Sequence, residues 1–266
     1  MSSYKVTYWN IPGRGECTRI MLALGGLDFE NDFVPLPFPI PNPESIDPPP
    51  FDDGTWVEKK PTTPWGTLPT LTLPDGTTVG QQRAIVRYLG KMIKHEGVIL
   101  YPEDPKQALL VDGLMDMLED IWPILVGLNG TDSFETAPLL STMFGKPYLV
   151  DFIAKRMEPG EGDLALMFDH IENAYSEGPY LLMNQPSCAD VLLFSAVAWW
   201  GAGMFPSMDI ILDGRPNIRR AIEGVGCWTK LCDYYSDRKA IRAKLPRVGM
   251  TNYEDYYKNF HSLCGL

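Results

Sequence analysis

Tyr8 lies near the end of an alternating run, Tyr4-Lys-Val-Thr-Tyr8-Trp9, and Gly13-Arg14-Gly15 follows a short turn later. That order sets a phenol at a strand end, facing the start of a helix that carries a guanidinium. A phenol donates a hydrogen bond, and donation to a sulfur favours the ionised sulfur. Taken alone, Tyr8 reads equally as a strand aromatic packing a core, as Tyr4 does. A second group lies in Trp65-Gly66-Thr67-Leu68-Pro69 and in Gly80-Gln81-Gln82. An X-Pro bond ahead of a short strand is one that can be cis, turning the preceding amide and carbonyl outward. Gln81 and Gln82 fall where a helix begins, and the free N–H groups of a first turn suit a carboxylate. Between the two groups stand Trp56, an indole donor, and Lys60, a cation four residues later. Such pieces together can hold a small anionic peptide and its thiolate.

Further along, Asp116, Glu119 and Asp120 stand at i, i+3 and i+4 and share one helix face. The simpler reading is a solvated acidic face; the other is a divalent-cation site. No metal ligand is assigned on this pattern. Cys17 lies near a helix N-terminus, where a thiol pKa can fall. No Cys-x-x-Cys spacing accompanies it, which argues against disulfide oxidoreductase chemistry.

The positioning elements follow from periodicity. Residues 4 to 9 form a first strand, and Thr18 to Gly25 a helix with Ile20, Ala23, Leu24 and Leu27 on one face. Phe29 to Leu36 is a second strand. Residues 35 to 50 hold eight prolines, which excludes a helix or central strand there. Two β-rich runs between Leu68 and Val79 flank Pro74-Asp75-Gly76, a hairpin signal, and Gln82 to Met92 returns to helical spacing. Beyond Tyr101-Pro102 the pattern is helical. Lys106 to Leu125 carries a stripe of Leu110, Leu114, Leu118, Ile121 and Leu125. After a break at Gly127 to Thr136 comes a weaker helix over residues 138 to 157. Leu164, Phe168, Ile171 and Tyr175 make another stripe. Ser187-Cys188-Ala189-Asp190 reads as an N-cap, with the hydroxyl accepting from a first-turn amide and the acid reaching back. Pro216 to Tyr235 is one more helix, and 239 to 266 a tail of unassigned shape.

With 266 residues, 45% hydrophobic and 21% charged, the chain has the composition of a globular protein with ample core. A net charge of −11 disfavours nucleic acid and anionic membrane surfaces as partners. Met1-Ser-Ser-Tyr-Lys leads straight into the first strand, so no leader peptide is expected. The apolar run Val191 to Met208 contains glycines and a proline and reads as a buried helix, not a membrane span. Five cysteines, odd in number and without metal spacing, fit reduced thiols and a cytoplasmic setting.

The two opening segments, with the order strand, helix, strand, long loop, strand, strand, helix, resemble the N-terminal domain of cytosolic glutathione transferases. The likeness is nearest the tyrosine-type group, and Trp56 and Lys60 match the spacing of its sigma-like members. The resemblance implies an α/β thioredoxin-like domain over residues 1–95 with a Pro-rich insertion near 37–55. An all-α domain over 102–245 and a tail over 246–266 would follow. It implies a homodimer that takes glutathione as co-substrate and a hydrophobic electrophile as acceptor. Tyr8 and Arg14 would be the catalytic pair. Trp56, Lys60, Thr67, Leu68, a cis Pro69, Gln81, Gln82 and Asp120 of the partner subunit would bind glutathione. Where the family carries Gln followed by Ser or Thr, this chain has Gln81-Gln82. Trp9, Ile11 and Trp122 would line the acceptor pocket by position. Family members with a catalytic cysteine place it at the turn occupied here by Ile11-Pro12-Gly13, so Cys17 is a packed thiol. Other functions open to such a chain are a glutathione-dependent isomerase of the prostaglandin type and a non-catalytic binding or structural protein.

Overall fold

The structure is a computed structural model and describes residues 3–9, 11–34, 54–125, 153–203, 205, 207–242 and 253–266. The proline-rich stretch and the break with its weak helix fall largely or wholly outside them.

Strand β1 (Tyr4–Trp9) is central. Parallel to it runs β2 (Phe29–Val34), in register Tyr8 to Phe33, and antiparallel on its other side runs β3 (Thr70–Thr72). β3 pairs with β4 (Thr78–Gly80), giving the order β2-β1-β3-β4. The β3–β4 turn is closed by Leu73 and Thr77, with Asp75 accepting from the Thr77 N–H at 2.8 Å. Helix α1 (Gly13–Gly25) returns the chain from β1 to β2. The short α2 (Thr55–Lys59) precedes β3, and α3 (Gln82–Gly90) follows β4. This mixed sheet and its helices form a thioredoxin-like domain. Val6 and Leu71 from the sheet meet Ile20, Leu24, Ile85 and Leu89 from the helices in one apolar layer, which the alternating and 3.6-residue patterns anticipate.

A small hairpin, β5 (Lys94–His95) and β6 (Val98–Ile99), leads into the helical part. This comprises α4 (Pro105–Leu125), α5 (Asp163–Ala174), α6 (Cys188–Gly203), α7 (Asp209–Leu212), α8 (Pro216–Gly226), α9 (Thr229–Arg242) and α10 (Tyr253–Leu263). Helix α6 is its axis: Val191, Leu193, Phe194 and Val197 are fully buried, and α4, α8 and α10 pack around it. No helix among the described residues is long and apolar enough to cross a membrane. Helix α1 joins the two parts, with α3 on one side and α6 and α9 on the other.

Four expectations change. Helix α1 begins at Gly13, not Thr18, because its first turn is built of Gly, Arg and Gly and shows no apolar period, yet the Glu16 N–H already donates to the Pro12 carbonyl. On α4 the buried stripe includes Val111 and Met115, while Leu110 is half exposed. Leu114, Leu118, Ile121 and Leu125 are buried as the leucine pattern predicts, and the stripe widens to Val111 and Met115 where the helix packs against α6. The segment from Pro216 breaks at Cys227-Trp228, where the Trp228 ring stacks on His95 at 3.8 Å. A break this short leaves the helical period nearly in phase on either side.

The fourth concerns the N-cap. Asp190 reaches back to the Ser187 N–H at 2.7 Å, but the Ser187 hydroxyl donates to the same carboxylate at 2.6 Å instead of accepting from an amide. Tyr175 Oη and the Leu181 N–H complete a shell of four donors around it. Burial raises the Asp190 pKa and the hydrogen bonds oppose that rise. Asp190→Asn keeps the shape but faces donors with an N–H₂, and should cost about 1–3 kcal/mol in urea unfolding.

Candidate active site

The Tyr8 ring is 3% exposed and lies against the first turn of α1. The Arg14 backbone N–H donates to its hydroxyl oxygen at 3.0 Å, which fixes that oxygen and leaves the phenolic proton to be donated elsewhere. Gly13 and Gly15 make the contact possible. A Cβ on Gly13 would lie 2.7 Å from the hydroxyl oxygen, and one on Gly15 would lie 2.6 Å from the ring. Gly13 also holds φ +44°, a region that disfavours side chains. Burial raises the Tyr8 pKa above its ordinary 10.0, opposed by the Arg14 N–H and by the Arg14 and Arg19 charges. The phenol is therefore protonated, and a donor, through neutral pH.

Arg14 points across to α4. Its Nη2 donates to Glu119 Oε1 at 2.7 Å, and its guanidinium stands 4.7 Å from the centre of the Trp122 ring. Arg83 and Arg87 of α3 pair with Asp116, and Arg87 holds Asp112 at 2.6 Å. Asp116 and Asp120 are exposed, as the spacing implies, while Asp116 and Glu119 also join a row of arginine pairs between the two parts. Asp120 is exposed and takes no part in these pairs.

The Leu68–Pro69 bond is cis, with Pro69 buried, Leu68 partly buried and Thr67 exposed. Gln81 is exposed at the N-cap of α3 with φ 74° and ψ 105°, a strained conformation for a residue with a side chain. Gln82 opens α3 and, with Gly13, Arg14, Glu119 and Trp122, borders a cavity of about 30 Å³. Trp56 meets Trp9 edge-on at 5.1 Å. Lys60 is exposed beside Gly66, whereas its neighbour Lys59 pairs with Asp32 at 2.6 Å. Ile11 is buried in the core, and its carbonyl accepts from Arg19 at 3.3 Å. Cys17 is fully buried, and desolvation pushes its pKa well up, so it is no nucleophile.

One group escaped the sequence reading. Glu16 is fully buried, two residues beyond Arg14. It accepts from Arg19 at 2.8 Å, from the Tyr234 hydroxyl at 3.3 Å, and from those of Tyr235 and Tyr257 at 3.2 Å. Arg19 in turn lies 5.9 Å from the Tyr8 ring centre. The only hint in the sequence was an acid three residues before a basic residue on an otherwise buried helix.

Residues 16–92 match the family described as glutathione S-transferase, N-terminal domain. The chain is 31% identical over 229 residues to "Glutathione S-transferase 1" of Ascaris suum, an alignment covering 85% of this chain and 91% of that protein. The chain belongs to the glutathione S-transferase family. It is also 32% identical over 123 residues to "Probable glutathione S-transferase 7" of Caenorhabditis elegans, 46% of this chain and 50% of that one. A match to the "Hematopoietic prostaglandin D synthase" of Gallus gallus is 29% identical over 120 residues, 45% of this chain and 49% of the relative. The chain thus spans about half the length of these last two. The glutathione S-transferase structure from Ascaris lumbricoides shares the fold, with a TM-score of 0.57 at 24% identity, covering 93% of this chain and 100% of that one.

Proposed function

We propose that this protein binds glutathione and catalyses attack of its thiolate on an electrophilic carbon of an apolar acceptor. The observation that supports this best is the buried Tyr8 hydroxyl, anchored as an acceptor by the Arg14 N–H and so free to donate its proton to a sulfur. A free thiol has a pKa of about 8.5, and lowering it by about two units needs roughly 2.7 kcal/mol of preference for the thiolate. The phenol donates to that thiolate, while the Arg14 charge and the amides at the start of α1 add to the field. The bond from sulfur to carbon forms as the leaving group departs, aided by proximity of the two bound reactants.

In this reading the glycine carboxylate of glutathione meets the Trp56 indole N–H and Lys60. The cysteinyl backbone pairs with Leu68, between Thr67 and Pro69, as an added strand. The γ-glutamyl carboxylate lies at the start of α3 against Gln81 and Gln82. Its ammonium meets Asp120 of the partner subunit in a homodimer, which the exposure of Asp120 permits. The acceptor lies near Trp9, Ile11 and Trp122. Cysteine usage supports a cytoplasmic setting.

The prostaglandin D synthase relative favours one second reading, glutathione-dependent isomerisation, which would draw on the same thiolate. Retention on immobilised glutathione, release by free glutathione, and turnover of an aryl halide are the expected results. Turnover of an endoperoxide with no aryl-halide activity would favour the isomerase. Failure to bind glutathione at millimolar concentration would overturn both.

A further inference from the structure

Three of the five cysteines meet at one corner of the helical part. Cys227 caps α8, Cys232 lies in the first turn of α9, and Cys264 directly follows α10. The corner is built on Gly226. The Cys232 thiol donates to the Gly226 carbonyl at 3.2 Å. A Cβ on Gly226 would lie 2.5 Å from the Leu263 carbonyl oxygen, so the ends of α8 and α10 meet backbone to backbone. That approach brings Cys264, the residue after Leu263, to the same Gly226 on which the Cys232 thiol rests. Cys227 is exposed, and it borders with Cys264 a surface crevice that Lys258 and Glu223 also line. The sulfur chemistry at Tyr8 does not call for thiols at this corner.

We propose that Cys232 and Cys264 are a reversible dithiol site that takes a low-molecular-weight disulfide, of which glutathione disulfide is the representative, and closes to a disulfide that fastens α10 to α9. The Cys232 thiolate attacks one sulfur of the small disulfide, forming a mixed disulfide and releasing one thiolate. Cys264 then attacks the Cys232 sulfur, its proton passing to the second departing thiol. Two protein thiols are oxidised and one small disulfide is reduced to two thiols. Burial and the neighbouring Cys232 sulfur raise the Cys264 pKa, so the first attack falls to Cys232, and Cys264 reacts second through its proximity to the mixed disulfide. The closed bond holds α10 in place, and with it the contact from Tyr257 to Glu16.

The test is to incubate the full chain with glutathione disulfide, alkylate, and digest with trypsin without reductant. Lys230 and Lys258 separate the thiols into different peptides. The expected result is loss of two of the five thiols and a linked pair of peptides 231–238 and 259–266, lighter by two hydrogens than their sum. The linked pair should persist in Cys227→Ser and vanish in Cys264→Ser, a change two residues from the C-terminus. Amide exchange in α10 should slow on oxidation. Glutathione found only as a mixed disulfide on Cys227, linkage elsewhere, or five thiols left free would overturn the proposal.

Discussion

Tyr8→Phe should lower kcat/KM for conjugation of an aryl halide by roughly 10- to 50-fold at pH 6.5, and by little at pH 9. The reason is the thiolate fraction. If the bound thiol has a pKa near 6.5 in the parent and near 8.5 in the variant, about half is ionised at pH 6.5 in one and about 1% in the other. Above both values the fractions converge. Phenylalanine fills the space against Gly13 and Gly15 and removes only the hydroxyl that accepts from Arg14. A deficit that stayed constant from pH 6.5 to pH 9 would indicate a damaged site and count against a role in ionisation. An unchanged rate at pH 6.5 would remove Tyr8 from the mechanism.

The largest effect on stability is expected from Glu16→Gln, about 3–5 kcal/mol in chemical denaturation, because it strips the carboxylate from a buried pair and leaves the Arg19 charge inside. Arg19 also donates to Asn31 at 2.8 Å and to the Ile11 carbonyl, so its displacement disturbs β2 and the turn after β1 together. The same carboxylate receives hydroxyls from α9 and α10, which ties the C-terminal helices to the helix that supports Tyr8. Tyr257→Phe, which deletes a single hydroxyl donor, should cost only about 1 kcal/mol. A loss below about 1 kcal/mol for Glu16→Gln would show that the pair is not needed for the fold.

The parts of the site that rest on local chemistry were legible in the sequence. Tyr8 at a strand end, glycines around Arg14, the hairpin at Asp75-Gly76 and the start of α3 at Gln82 each follow from backbone propensities within a few residues. What was hidden depends on residues distant in the chain. Glu16 acquires its partners from positions 234, 235 and 257. Asp116 and Glu119 take their arginine partners, Arg83 and Arg14, from the other part. The two polar residues of the Ser187–Asp190 cap are placed as their spacing implies, yet their donor and acceptor roles depend on Tyr175 and the Leu181 amide. The break at Trp228 is likewise a tertiary matter, set where His95 stacks on the ring. Periodicity reports which face of a helix is apolar; it does not report which charged residue on the other face finds a partner.

The most direct test of the Tyr8 chemistry is to titrate the thiol of enzyme-bound glutathione by its thiolate ultraviolet absorbance, in the parent protein and in Tyr8→Phe. The bound thiol should ionise near pH 6.5 in the parent, about two units below free thiol, and return toward about 8.5 in the variant. A parent value near 8.5, or a low value that Tyr8→Phe leaves unchanged, would contradict the assignment of Tyr8 as the group that stabilises the thiolate.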